Sequence, residues 1–142
     1  MFHYHDGAPR LAGLLEDQTQ MGIAAVQAHL VSGESKWLGR ARELADFIIT
    51  RLKNPAGGYF DSSDGGIGFC NVRLTDVDQN GAAASFFLRL ARASGDTKYR
   101  EAANWALDAF GGDFTAYGIH GSRFGRALVE YLSAPRMDVA GS

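Results

Sequence analysis

Two segments of the sequence, VSGESKWLGRARELADFI from Val31 and ASGDTKYREAANWALDAF from Ala93, share one pattern of residue types. They are offset by 62 residues, the separation of Gly33 and Gly95. At this offset seven pairs keep their chemical character: Ser32/Ser94, Glu34/Asp96, Ser35/Thr97, Lys36/Lys98, Trp37/Tyr99, Ala41/Ala103 and Asp46/Asp108. A fixed period of this length indicates a repeated supersecondary unit.

Each copy of the unit predicts a helix, a glycine turn and a second helix. The first helix of copy one is predicted from Leu11 to Val31, and Gly33 and Gly95 suit the left-handed position that ends a helix. The second helices are amphipathic. Their apolar stripes consist of Trp37, Ala41, Leu44, Ala45, Ile48 and Leu52 in copy one, and of Tyr99, Ala102, Ala103, Leu107 and Phe110 in copy two.

The first helix of each copy, QMGIAAVQAHLV and NGAAASFFLRLARA, is small or apolar nearly all round. Such a helix is expected to be buried on all sides. The predicted core contains Phe86 and Phe87 from the first helix of copy two, together with Trp37 and Tyr99 from the second helices. Hairpins of one buried and one amphipathic helix, placed side by side, give an inner and an outer ring. HGSRFGRALVEYLSAP begins a third unit. The apolar stripe of its helix consists of Phe124, Leu128 and Leu132, and the helix is expected to end at Pro135.

We therefore expect an all-α fold, a partial (α/α) toroid built from antiparallel αα-hairpins. Residues 1–134 form a single helical domain in this prediction, and 135–142 form a disordered tail. The connection between the hairpins is too long for a simple turn. Its stretches GGYFD and IGFCNVRL have strand composition, so a short β-hairpin insertion is predicted near residues 57–75.

Composition narrows the function classes. The net charge of −2 gives no electrostatic footprint for nucleic acid, and no apolar run suits a membrane span. A single cysteine leaves no internal disulfide and no paired-cysteine zinc or redox motif. The first residues lack a secretory pattern. We expect a cytoplasmic protein without a cofactor, without nucleic-acid or membrane partners.

The stretches FHYHDGAPRLAGLLEDQ, GGYFD and SGDTKYREAANWALDAF resemble the helical region of thioredoxin-domain-containing proteins related to the spermatogenesis-associated thioredoxin-like protein. The resemblance covers roughly residues 2–134. It implies the C-terminal part of a six-hairpin (α/α) toroid, similar to those of glycoside hydrolases and N-acylglucosamine 2-epimerase. Two and a half hairpins do not close such a ring, so we expect a piece of a larger chain or a homo-oligomer that covers the open apolar flanks.

The toroid resemblance implies a carbohydrate-binding or carbohydrate-processing segment of unknown substrate. Asp17 and Asp78 lie near the entries of the inner helices, where paired carboxylates suit acid/base work on a sugar. The alternative for Asp17 is a structural one, capping backbone amides or pairing with Arg10 or Arg73. The candidate substrate-binding residues, for a sugar or another small polar ligand, are His5, Gln18, Tyr59, Arg73 and Asn80.

The alternative function is a non-catalytic helical module for self-association or partner binding, so whether the chain is an enzyme stays open. The His3, His5 and Asp6 cluster has metal-binding residue types, but no third ligand at suitable spacing is visible. A polar N-terminal loop packed over the helices is the preferred explanation, and no metal site is predicted.

Overall fold

The computed structural model describes residues 2–5, 9–63, 72–112 and 114–133, with side chains described for 13–63, 72–112 and 116–133. In chain order the elements are β1 (Phe2–His5), β2 (Pro9–Ala12), α1 (Leu15–Ser32), α2 (Ser35–Phe47), a π-helical turn continuing α2 (Ile48–Leu52), α3 (Val77–Ser94), α4 (Thr97–Asp108), a 3-10 segment (Phe114–Gly121) and α5 (Ser122–Ser133). The predominance of helix confirms the predicted class.

The repeat is visible in the helix boundaries and caps. α1 and α3 begin and end at positions 62 residues apart, and each ends at a left-handed glycine, Gly33 with φ 72° and Gly95 with φ 71°. Ser32 and Ser94 each donate a 2.7 Å hydrogen bond to the carbonyl four residues earlier. The two turns between paired helices are therefore built in the same way.

The N-terminus differs from the sequence expectation. Leu11 lies in β2, which pairs antiparallel with β1, and α1 begins only at Leu15. Gly13 separates the two elements with φ 70°, a conformation that a continuing helix does not contain. The predicted start of the first helix at Leu11 is therefore wrong, and a two-stranded hairpin precedes the helices.

The helices form two layers. The inner layer consists of α1, α3 and α5 with α3 at its centre, and the outer layer consists of α2 and α4. α3 packs against α1 on one side and α5 on the other, while α2 and α4 pack against α1 and α3 respectively. α3 buries most of its length, including Phe86 and Phe87, whose ring centroids are 5.6 Å apart. The prediction of burial on all sides is thus confirmed for α3.

The same prediction is wrong for α1, because α1 has an inner-layer neighbour on one side only. Leu30 and Val31 are 63% and 79% exposed. At the other end of the layer, Leu132 of α5 is 72% exposed, against its predicted place in an apolar stripe. Trp37 is also exposed, at 37%, whereas its repeat partner Tyr99 is fully buried.

Two glycines bring the helices of the inner layer close together. A Cβ on Gly22 of α1 would overlap the Phe86 ring of α3, and a Cβ on Gly81 of α3 would overlap the backbone of Phe124 in α5. The absence of a side chain at these two positions therefore sets the spacing of α1, α3 and α5.

The connection between α2 and α3 returns to the helix ends. An isolated bridge joins Lys53 to Tyr59, and the Asp61 amide donates to the Leu74 carbonyl at 2.7 Å. Residues 64–71 of the predicted β-hairpin insertion, and the predicted tail 135–142, lie outside the described residues. Within the described part of the chain, no helix is both long and apolar enough to span a bilayer.

Candidate functional site: an arginine groove

A groove of about 250 Å³ lies along the layer formed by α1, α3 and α5. We call it the arginine groove. Its lining comes only from these three helices and consists of Gln20, Ile23, Ala82, Ser85, Arg89, Arg123 and Arg126. Three guanidinium groups in so small a space make it the most chemically distinctive surface in the described part of the chain.

Helical spacing explains why these residues meet. On α1 and α3 the groove follows positions separated by three or four residues, which share one helix face. The positions correspond in the repeat, as Gln20/Ala82 and Ile23/Ser85, with Glu16/Asp78 one turn earlier. The groove therefore runs between equivalent faces of two copies of one helix, and α5 adds Arg123 and Arg126.

Arg123 joins the three helices at one end of the groove. Its Nη1 lies 3.0 Å from Glu16 Oε1 and 3.2 Å from Glu16 Oε2 on α1, and 3.3 Å from Asp78 Oδ2 on α3. The hydrogen bond to Glu16, followed by the charges of Glu16 and Asp78, raises the pKa of Arg123. Nη1 of this guanidinium contacts both carboxylates, and this contact holds the starts of α1, α3 and α5 together.

The other two arginines are bound less tightly. Arg126 Nε lies 3.5 Å from Glu130 Oε1 one turn later on α5, and the Arg126 side chain is 64% exposed. Arg89 is partly buried on α3 and forms no ion pair with any residue that the structure describes. Positive charge along the groove is thus least compensated at Arg89.

The predicted catalytic residues occupy different surroundings. Asp78 is partly buried and pairs with Arg123. Asp17 is partly buried on α1 but does not line the groove. The α1 carboxylate that meets Asp78 across Arg123 is the neighbouring Glu16, so the acid/base assignment of Asp17 and Asp78 stays a prediction.

Two predicted substrate-binding residues are hydrogen bonded to each other inside the core. Asn80 is fully buried, its Oδ1 accepts from the Tyr59 amide at 2.7 Å, and its Nδ2 donates to the carbonyls of Tyr59 and Asp76 at 2.9 and 2.8 Å. The Tyr59 hydroxyl donates to the Ala102 carbonyl at 3.2 Å, and burial raises the pKa of this phenol. These contacts fasten the connecting loop to α3 and α4.

The remaining predicted ligand contacts are dispersed. Gln18 is 3% exposed on α1, at the repeat position of Asn80. Arg73 is exposed, with its guanidinium 4.0 Å from the centroid of the Phe60 ring. His5 lies in β1 opposite Pro9, and its side chain is outside the described part of the structure.

Sequence reasoning missed Arg89, Arg123 and Arg126. One signal was present: at the 62-residue offset Glu16 aligns with Asp78, an acidic pair at the first turn of both inner-layer helices. A basic partner for that pair is a natural expectation. That this basic partner is Arg123 depends on how α5 packs against α1 and α3, and no local sequence pattern predicts that packing.

A second, larger groove of about 570 Å³ lies between α2 and α4. Two of its charged groups are paired with each other, since Lys98 Nζ lies 3.1 Å from Asp46 Oδ1. Lys53 Nζ covers the Trp105 ring at 4.3 Å, and the Trp105 Nε1 donates to the Gly58 carbonyl at 3.0 Å. Acidic and basic side chains are mixed in this groove, whereas the ionisable side chains that line the arginine groove are all arginines.

The arginine groove is therefore the candidate site, and its chemistry is recognition of polar or charged oxygens by guanidinium, amide and hydroxyl groups. Among the described residues no cluster of three or more histidine, cysteine or carboxylate side chains is arranged to hold a metal ion. The chain matches no protein-family model, and no curated protein matches it.

Proposed function

We propose that the chain is a segment of an (α/α) toroid whose arginine groove binds a small, carbohydrate-type ligand. The observation that carries the proposal is the convergence of Arg89, Arg123, Arg126, Gln20 and Ser85 on one groove. Guanidinium and amide groups donate several hydrogen bonds in fixed directions, which suits a ligand that is rich in oxygen atoms.

The two-layer arrangement supports the toroid part of the proposal. In an (α/α) toroid the cavity is lined by the inner helices, and here the groove is lined by α1, α3 and α5 alone. The equal boundaries of α1 and α3 are consistent with successive copies of one hairpin.

The contacts made by the carboxylates favour a binding role over hydrolysis. Acid/base chemistry on a glycoside needs two carboxyl groups that flank the ligand, one of them protonated. Glu16 and Asp78, the carboxylates at the end of the groove, both contact Arg123. Their contribution in this proposal is to fix Arg123 and thereby the shape of the groove.

The test is a calorimetric and thermal-shift screen of neutral and acidic monosaccharides against the chain and two tryptophan variants. Gln20→Trp places an indole at the groove wall. Gln27→Trp is the matched control, because Gln27 is also exposed on α1 but does not line the groove. We expect saturable binding that Gln20→Trp abolishes and Gln27→Trp preserves. Failure of every sugar to bind contradicts the proposal.

A second candidate function is head-to-tail self-association, favoured by the exposed apolar side chains at both ends of the layer. Met21, Leu30 and Val31 are exposed on α1, and Val129 and Leu132 are exposed on α5. In the proposed contact, the α1 flank of one copy packs on the α5 flank of the next, extending the layer.

Light scattering on the chain and on the double variant Leu30→Gln, Val31→Gln tests this second function. We expect a concentration-dependent mass above that of one chain, reduced to one chain in the variant. A wild-type monomer at all concentrations excludes it.

A further inference from the structure

We propose that the ligand of the arginine groove carries an oxyanion, a carboxylate or a phosphate, which binds between Arg89 and Arg126. This inference rests on the proposed function and names the class of ligand. The groove would then select acidic sugars or sugar phosphates over neutral sugars.

Arg89 is the first support. It projects from the most buried helix of the fold, between the buried side chains Leu88 and Leu90. It lines the groove, and no carboxylate among the described residues pairs with it. A partly buried cation without a counter-ion is costly, so an anionic ligand at this position is stabilised by both charge and hydrogen bonds.

Arg126 is the second support. Its contact with Glu130 is long, at 3.5 Å, and its side chain is mostly exposed. The contact with Glu130 is made by Nε, so the two terminal nitrogens of Arg126 can donate to a ligand while the ion pair is kept. Arg89 and Arg126 thus face the groove from α3 and α5, and together they provide a two-sided clamp for planar or tetrahedral oxygens.

The carboxylates that face the groove determine where the anion lies. Glu16 and Asp78 occupy the end at Arg123, and they repel an anion from that end. Glu130 lies beside Arg126, with Oε1 towards Arg126 Nε and Oε2 buried without a hydrogen-bond partner among the described residues, so the anion is expected to lie nearer to Arg89. Arg89 lies about three turns along α3 from the start of the helix at Val77, away from Glu16 and Asp78.

Polar neutral groups complete the proposed site. Ser85 lies one turn before Arg89 on the same face of α3, and its side chain lines the groove. Gln20 faces it from α1, with its Nε2 hydrogen bonded to Glu16 Oε1 at 2.9 Å. In the proposed complex the oxyanion binds the two arginines, and the sugar hydroxyls bind Ser85 and Gln20.

The test compares glucose, glucuronate, glucose 6-phosphate and inorganic phosphate by calorimetry at low and high salt. The variants are Arg89→Gln, the charge-retaining Arg89→Lys and the control Arg92→Gln, since Arg92 is exposed on α3 and does not line the groove. We expect at least one acidic sugar to bind roughly tenfold or more tightly than glucose, which is a small fraction of what a bidentate charged contact can supply.

We also expect binding of the acidic sugar to weaken with salt, to drop roughly tenfold in Arg89→Gln, and to be partly kept in Arg89→Lys and fully kept in Arg92→Gln. Binding of glucose as tight as that of both acidic sugars overturns the oxyanion inference but leaves the proposed function standing. Arg89-dependent binding of phosphate alone supports the oxyanion and contradicts the sugar. Binding of no probe contradicts both. Melting temperatures of all variants separate lost binding from lost folding.

Discussion

Gly81 of α3 and Phe124 of α5 are in backbone-to-backbone contact: a Cβ on Gly81 would overlap the amide nitrogen and Cα of Phe124. Such an approach leaves no room for any side chain between the two helices. Arg123, the residue before Phe124, reaches Glu16 and Asp78 from this point. This close contact between α3 and α5 thus lies at one end of the arginine groove.

Gly81→Ala is expected to lower the free energy of unfolding by about 1–3 kcal/mol, because the added methyl group meets backbone atoms that cannot rotate away. Gly39→Ala is the matched control, since Gly39 lies within α2 and a Cβ there has nothing within 4 Å. The control should gain about 0.5–1 kcal/mol from the higher helix propensity of alanine. Urea unfolding measures both, and equal effects would argue against the close contact.

Asn80→Ala is expected to cost about 3 kcal/mol or more, because it leaves the buried amide and carbonyl of Tyr59 without their partners. Asn104→Ala removes a single exposed hydrogen bond to Asp108 and should cost less than about 1 kcal/mol. The comparison is made by thermal unfolding. A small loss at Asn80 would mean that the loop is not held by this side chain.

Alkaline stability should depend on Tyr59. Burial raises the pKa of its phenol above the ordinary value of 10.0, so the unfolded chain releases this proton at lower pH than the folded chain. Stability is therefore lost as pH rises above 10.0, and nothing is lost below it. Between about pH 10 and 11 the wild type should lose up to about 1.4 kcal/mol more than Tyr59→Phe.

The reference for that comparison is the same pair of proteins at neutral pH, where Tyr59→Phe loses only the hydrogen bond to Ala102, worth about 1 kcal/mol. Urea titrations at several pH values provide the slopes. Parallel slopes in the two proteins would show that Tyr59 does not titrate differently on folding.

The repeated turns should respond equally to substitution. Gly33→Ala and Gly95→Ala each force a side chain into a left-handed conformation at a site with open space around it. Each is expected to cost about 1–2 kcal/mol, which is the backbone penalty alone. Because an added Cβ has no other atom within 4 Å at either site, the double variant should lose the sum of the two. A strongly unequal pair would show that the two turns are not equivalent.

The helix ends were accessible to sequence reasoning because they depend on local chemistry. Gly33 and Gly95 mark the ends of α1 and α3, and the 62-residue offset carries one boundary onto the other. The exposure of Leu30 was not accessible, since composition does not report how many neighbours a helix has. α1 and α3 have similar small-residue content, but only α3 packs on both sides.

The site was only partly accessible for a related reason. Asp78 was singled out from the sequence because carboxylates near helix entries stand out in an apolar segment, but the role predicted for it was acid/base chemistry, which stays a prediction. Its contact with Arg123 joins residues from different units across the Gly81 approach. In the sequence Arg89 is an ordinary basic residue near a helix end, and only the structure shows that it lines the groove.

The two copies of the helical hairpin have also diverged unevenly. Serine and glycine at the turns are the same in both, whereas the repeat-equivalent pairs that line the groove, Gln20/Ala82 and Ile23/Ser85, differ in polarity. The backbone of α1 and α3 is therefore repeated, but the side chains that line the groove between them are not. A ligand bound there, as proposed, would meet the Gln20 amide and Ile23 on one side and the Ser85 hydroxyl and the Arg89 guanidinium on the other, so opposite orientations of the ligand would differ in energy.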